Sequence, residues 1–153
     1  MDSQSDFSYE KLSRRDFRAL VINILYAADA NDYQLSLPDI VQSFNSDFSL
    51  DIPLDSRLVK VCNGVIEQRA ALDELIKPLL NNWRFERISI CTKLILRLAF
   101  WELMHTDVPT SIIINEAIEL AKSFSEEGAA KFVNGIIDEA TKKYPRPIEP
   151  SAG

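Results

Sequence analysis

Between Ser13 and Tyr144 apolar side chains return every three or four residues, and only four glycines occur in the whole 153-residue chain. Such spacing gives a helix one buried stripe, whereas a strand needs alternation. Phe17, Leu20, Val21, Ile24, Leu25 and Ala28 make the first stripe, and Ile40, Val41 and Phe44 a second. Leu58, Cys62, Val65, Leu72, Ile76 and Leu79 make a third, broken by Arg69; Ile88, Cys91, Leu94, Ile95, Leu98 and Trp101 make a fourth. The reading is an all-α chain of about six to seven helices.

Local signals set the expected bounds. Ser13 with Asp16 reads as a capping box opening the first helix. Pro38, after Ser36, suits the first turn of the second. Residues 45–53 read as a loop and 55–80 as one long helix, with Pro78 in its last turn or bending it. A connector at Asn81, Asn82 and Trp83 leads to a helix over 86–105. The last two helices are expected over 109–124 and 126–143. Asp107 and Pro109 start the first of these, and Ser125, Glu126 and Glu127 the second. Residues 1–12 are expected to be a flexible segment, 13–143 the helical domain, with sub-bundles over 13–80 and 81–143, and the proline-rich 144–153 a disordered tail.

Composition excludes several function classes. No run approaches the roughly 18 apolar residues of a membrane span, and the acidic start lacks the basic-then-apolar order of a secretory signal; cytoplasmic residence is the expectation. Two cysteines without a CxxC spacing and one histidine do not make a zinc site. Cys62 and Cys91 lie on apolar stripes and are expected to be reduced and buried. No glycine-rich phosphate loop or dinucleotide fingerprint occurs, so no cofactor is implied. Asn115 and Glu116 interrupt an apolar run, but nothing is spaced to act with them in catalysis. Glu116 is expected to pair with an arginine such as Arg97.

A net charge of −6 argues against attraction of nucleic acid to the whole surface, though not to a local patch. Arg14, Arg15 and Arg18 fall within about 100° of one another around the first helix, with Lys11 extending the set and Asp16 diluting it. Three guanidinium groups there can grip successive phosphates through paired hydrogen bonds. The plainer alternative is a solvated face answered by acids elsewhere in the fold.

Asn134-Gly135 sits within a helical pattern, where glycine costs about 1 kcal/mol against alanine. Close approach of a second helix is the expected compensation. Cys-Asn-Gly-Val-Ile-Glu (62–67) echoes Val-Asn-Gly-Ile-Ile-Asp (133–138), suggesting a similar crossing in each half.

Ser-Arg-Arg-Asp-Phe-Arg (13–18) with Ala-Leu-Val-Ile-Asn-Ile-Leu-Tyr (19–26), Trp83 with Arg87, residues 95–103, Pro109, residues 114–122 and Phe132-Val-Asn-Gly135 together resemble the NusB family of antitermination factors. The resemblance covers most of 13–143, and its last two blocks are the specific ones. The chain departs from the family pattern at Asp16, where many members are basic, and at Cys91-Thr92-Lys93, where members often carry an acid. The resemblance implies two small helical bundles packed together and a non-catalytic factor that binds single-stranded boxA RNA of ribosomal RNA operon transcripts. It also implies pairing with NusE, a small-subunit ribosomal protein, within the RNA polymerase antitermination complex, and allows a homodimer. Carried over by position, Arg14, Arg15, Arg18, Lys131 and Phe132 line the RNA surface, while Tyr26 and Glu86 face the protein partner. By periodicity alone Phe132 is a core residue; by resemblance its ring stacks on an unpaired base. Two other readings remain open: an accessory domain of a ribosomal RNA cytosine methyltransferase, an enzyme that needs a further domain with a cofactor-binding sheet, and an interaction module that does not bind RNA.

Overall fold

The computed structural model describes residues 7–81 and 83–151. Among these the chain forms seven α-helices and no strand: α1 (Arg14–Ala30), α2 (Leu37–Phe48), α3 (Arg57–Glu67), α4 (Arg69–Ile76), α5 (Ile90–His105), α6 (Thr110–Phe124) and α7 (Ala129–Lys143). Single 3-10 turns lie at Tyr9–Lys11, Lys77–Leu79 and Phe85–Arg87. None of the described helices is long and apolar enough to cross a membrane.

The chain divides into two compact units, one ending at Ile66 and the next beginning at Glu67. This corrects two expectations. The single helix over 55–80 is two helices, parted at Gln68, whose φ of −96° and ψ of 5° break the helical path. The boundary between units lies at that break rather than at 80/81, because α4 packs against α5. Arg97 of α5 donates to both carboxylate oxygens of Asp73 on α4, at 2.8 and 2.9 Å, and the Tyr144 hydroxyl donates to the Leu75 carbonyl at 2.9 Å.

In the first unit Ser13 caps α1 by accepting from the Asp16 N–H at 3.0 Å, and Ser36 caps α2 through the Asp39 N–H at 3.2 Å. These satisfy amide donors that have no partner within the helix. The helix α2 runs on through residues expected to be loop and ends at Ser49, whose φ of 55° is left-handed. The Asn45 side chain spans the turn beyond it, accepting from the Ile52 N–H at 2.9 Å and donating to the Ile52 carbonyl at 3.0 Å. At the start of α3 the Leu58 N–H donates to the Tyr9 hydroxyl at 3.2 Å, so part of the segment expected to be flexible is tied down; its first six residues lie outside those described, as does Asn82.

The second unit is built on α5, which packs against α4, α6 and α7. Leu94 through Phe100 are all buried, including Arg97, so α5 is covered on every side, as a central helix must be. The helix α7 begins at Ala129, not at 126: Ser125 instead ends α6, and Gly128 leads into α7 with a φ of 89°, a conformation that favours glycine. Cys62 is fully buried and Cys91 only half-buried, and both are free thiols; burial pushes the Cys62 thiol far above its ordinary range.

The tail is a further correction. Its described part, 144–151, is fastened by Arg146, whose guanidinium donates to the carbonyls of Glu102, Leu103, Thr106 and Val108 at 2.6–3.3 Å and to the Thr110 hydroxyl at 3.2 Å. The Ser151 N–H donates to the Asp107 carbonyl at 2.7 Å. Proline forbids helix here, but it does not forbid docking: the carbonyls left over at the end of α5 need donors, and a guanidinium supplies five.

Candidate nucleic-acid interface

The arginine cluster divides between surface and interior. Arg14 and Arg15 are exposed on the first turn of α1, and Arg14 has no side-chain partner among the described residues. Arg18 is only 5% exposed and donates to the Arg14 carbonyl at 3.3 Å. The expectation that Arg18 shares an open cationic surface is therefore corrected. Its position explains the burial: Arg18, Val21, Ile22 and Leu25 are spaced i, i+3, i+4 and i+7, one face of a helix, and the other three are buried. The same spacing is visible in the sequence.

In the second unit Lys131 is exposed and Phe132 half-buried near the start of α7. The core stripe of that helix is Ala129, Val133, Ile136, Ile137 and Ala140. Phe132 lies beside it and meets Trp83 edge to face, centroids 5.6 Å apart and planes at 66°. Trp83 is 61% exposed, so the pair presents ring surface to solvent. A hollow of about 320 Å³ opens on one side of the pair, with Arg87, Ile88, Thr92, Glu126 and Ala129 in its walls. A second, of about 290 Å³, is bordered by Lys131, Gly135, Ile136 and Glu139. A Cβ built on Gly135 would meet nothing within 4 Å, and the residue is exposed. Among the described residues nothing stands close to that position, contrary to the expected close approach of a second helix; the glycine borders the second hollow.

Hydroxyl groups organise the first hollow. Thr92 is 1% exposed and lies 2.6 Å from the Ser125 hydroxyl. Glu126, expected to help start α7, turns instead toward α5: its carboxylate accepts from Ser89 at 2.7 Å and from Thr92 at 3.3 Å. Its own backbone N–H and then the Ser89 hydroxyl hold that carboxyl below the usual carboxylate range, because both stabilise the charged form. An acid thus stands beside Thr92, although position 92 itself carries none. The pairing of Trp83 with Phe132 and the reach of Glu126 are not legible in the sequence, since each joins residues far apart in the chain.

The two residues expected to face a protein partner are both accessible. Tyr26 is 46% exposed on α1, and Glu86 is exposed in the 3-10 turn before α5.

The model of the NusB family matches residues 15–142. A relative from Macrococcus caseolyticus (strain JCSC5402), named transcription antitermination protein NusB, is 34% identical over 131 residues, covering 86% of this chain and 98% of its own. Among solved structures, a T. maritima NusB superposes with a TM-score of 0.76 at 32% identity, covering 87% of this chain and 93% of its own. A complex described as antitermination factors NusB and NusE with dsRNA matches in fold, with a TM-score of 0.72 at 19% identity over 86% of this chain and 97% of that one.

Proposed function

The chain belongs to the NusB family, and from that premise we propose that it is a transcription antitermination factor without catalytic activity, which binds RNA together with a NusE-type ribosomal protein in the cytoplasm. The RNA it takes is single-stranded and of the boxA type, within an RNA polymerase antitermination complex. Arg14 and Arg15 hold phosphates, Lys131 and Phe132 contact the transcript in the second unit, and Tyr26 and Glu86 face the protein partner. The observation that carries this reading is the exposed Arg14–Arg15 pair on the first turn of α1 in a chain whose net charge is −6. A net charge of that sign argues against whole-surface attraction as the source of affinity, so a local cationic grip is the reading that fits RNA binding.

Fluorescence anisotropy with labelled single-stranded boxA-type RNA, its double-stranded counterpart and an unrelated single strand, each with and without NusE, tests the reading. Tight binding is expected for the boxA strand with NusE present. Replacing both Arg14 and Arg15 by alanine should weaken it and flatten the log–log salt dependence by about 0.7 for each phosphate no longer neutralised. Unchanged affinity and slope in the double variant would remove those arginines from the interface.

A further inference from the structure

The start of α3 carries cations that the arginine-rich segment does not account for. The Arg57 guanidinium lies 4.8 Å from the centre of the Phe17 ring. Arg57 is exposed, and this cation–π contact is its sole side-chain interaction among the described residues. Lys60 follows three residues later on the same side of α3; it too is exposed, with no acidic partner among the described residues. Arg14 precedes Phe17 by three residues, so it occupies the same side of α1 as the ring on which Arg57 rests. The nearest acids along the chain, Asp16 and Asp55, form no ion pair with Arg57 or Lys60. Within one unit, Arg57 thus rests over the Phe17 ring, with Lys60 on the same side of α3 and Arg14 on the same side of α1 by helical spacing.

The arrangement favours a phosphate-rich ligand. A cation–π contact holds a guanidinium over a ring without using up its N–H donors, and those donors match two oxygens of a phosphodiester. An arginine meant only to hold the fold together would spend its donors on protein acceptors, as Arg97 and Arg146 do here.

We infer that Arg57 and Lys60 form, with Arg14, a phosphodiester-binding platform against Phe17 that extends the RNA grip from α1 onto α3. This rests on the RNA reading given above; the occupant is the RNA backbone, read without regard to base.

The test uses the full chain with NusE and a labelled single-stranded boxA-type RNA over a salt series. Arg57→Gln and Lys60→Gln are each expected to reduce the slope by about 0.7 and to lower affinity about fivefold at ~0.1 M salt, with unchanged thermal melting. Lys142→Gln with Lys143→Gln removes two positive charges from α7 and is expected to leave the slope unchanged. If the wild-type complex binds and the α3 variants match it, the platform is refuted while the RNA reading stands. If the α7 control loses as much as they do, charge in general and not this platform is responsible. Loss of NusE binding by the α3 variants in the absence of RNA would assign the cluster to the protein partner and overturn the proposal. No binding by the wild-type complex would overturn both readings.

Discussion

Trp83 and Phe132 meet edge to face with ring centroids 5.6 Å apart, and the tryptophan remains mostly in solvent. A ring that exposed contributes little to the core, so Trp83→Ala should cost less than about 1 kcal/mol of folding stability. Loss of a stacking surface should weaken RNA binding by about 1–3 kcal/mol. Chemical denaturation and RNA titration of the same preparation separate the effects. A stability loss of core size with unchanged binding would make the pair a structural element only.

The forked bond between Arg97 and Asp73 ties α4 to the central helix. The two side chains are 10% and 14% accessible, so solvent screens them only slightly. Truncation by Asp73→Ala leaves a nearly buried guanidinium without that partner, and stability should fall by about 2–3 kcal/mol, discounted from the fully buried case. Asp73→Asn, which keeps one acceptor, should fall less. Urea midpoints of the two variants check the order; equal losses would show that the carboxylate charge itself dominates.

How much of this is legible in the sequence depends on how local each signal is. Ser13 and Ser36 cap helices from within three residues, and the stripes of α1 and α7 follow from periodicity, so these can be read directly. The break at Gln68 cannot, because the residues on both sides continue the apolar rhythm and the packing of α4 on α5 decides where the path turns. The docked tail depends on Arg146 finding carbonyls about forty residues earlier, which no window along the chain contains. At the candidate interface, Arg14 and Arg15 match their reading as exposed cations, and Arg18 does not. Its charge suggests the surface, whereas its register with Val21, Ile22 and Leu25 points inward, and the register prevails. Arg57 has no pattern of its own; only the fold places it on Phe17.

Glu126 gives the molecule a pH signature. Its folded-state pKa lies below the ordinary value of 4.5, held down by its backbone N–H and by Ser89. A depressed carboxylate contributes stability above its unfolded pKa and loses it as pH falls through the folded one. Melting temperatures of wild type and Glu126→Gln should therefore differ at neutral pH and converge in acid, below the ordinary carboxylate range. A gap that persists unchanged into acid would mean that the hydrogen bonds, not the charge, matter.

Gly135 offers a substitution in the opposite direction. It lies mid-helix in α7, and an added Cβ meets nothing within 4 Å. Gly135→Ala should raise stability by about 0.5–1 kcal/mol by restricting the unfolded backbone and favouring helix. Thermal melting reads the sign. A lower melting temperature would mean that the glycine is needed within the fold. Coupled with RNA titration, the same variant reports whether a ligand comes close to the bordering hollow.

Arg146 converts a proline-rich tail into a strap over the turn between α5 and α6. Its hydrogen bonds include those to the Thr106 and Val108 carbonyls, both at 2.6 Å, and the closure is reinforced by Ser151 on Asp107. Hydrogen bonds from a charged donor contribute about 1.5–3 kcal/mol in net terms, and they are not additive on one side chain. Arg146→Ala should therefore lower stability by about 2–3 kcal/mol and free the tail. Arg146→Lys should recover only part, since one ammonium cannot reproduce the fork across several carbonyls. Limited proteolysis and urea unfolding read the two consequences separately. A tail that stays protected in the alanine variant would place its anchor elsewhere, at Tyr144 on the Leu75 carbonyl.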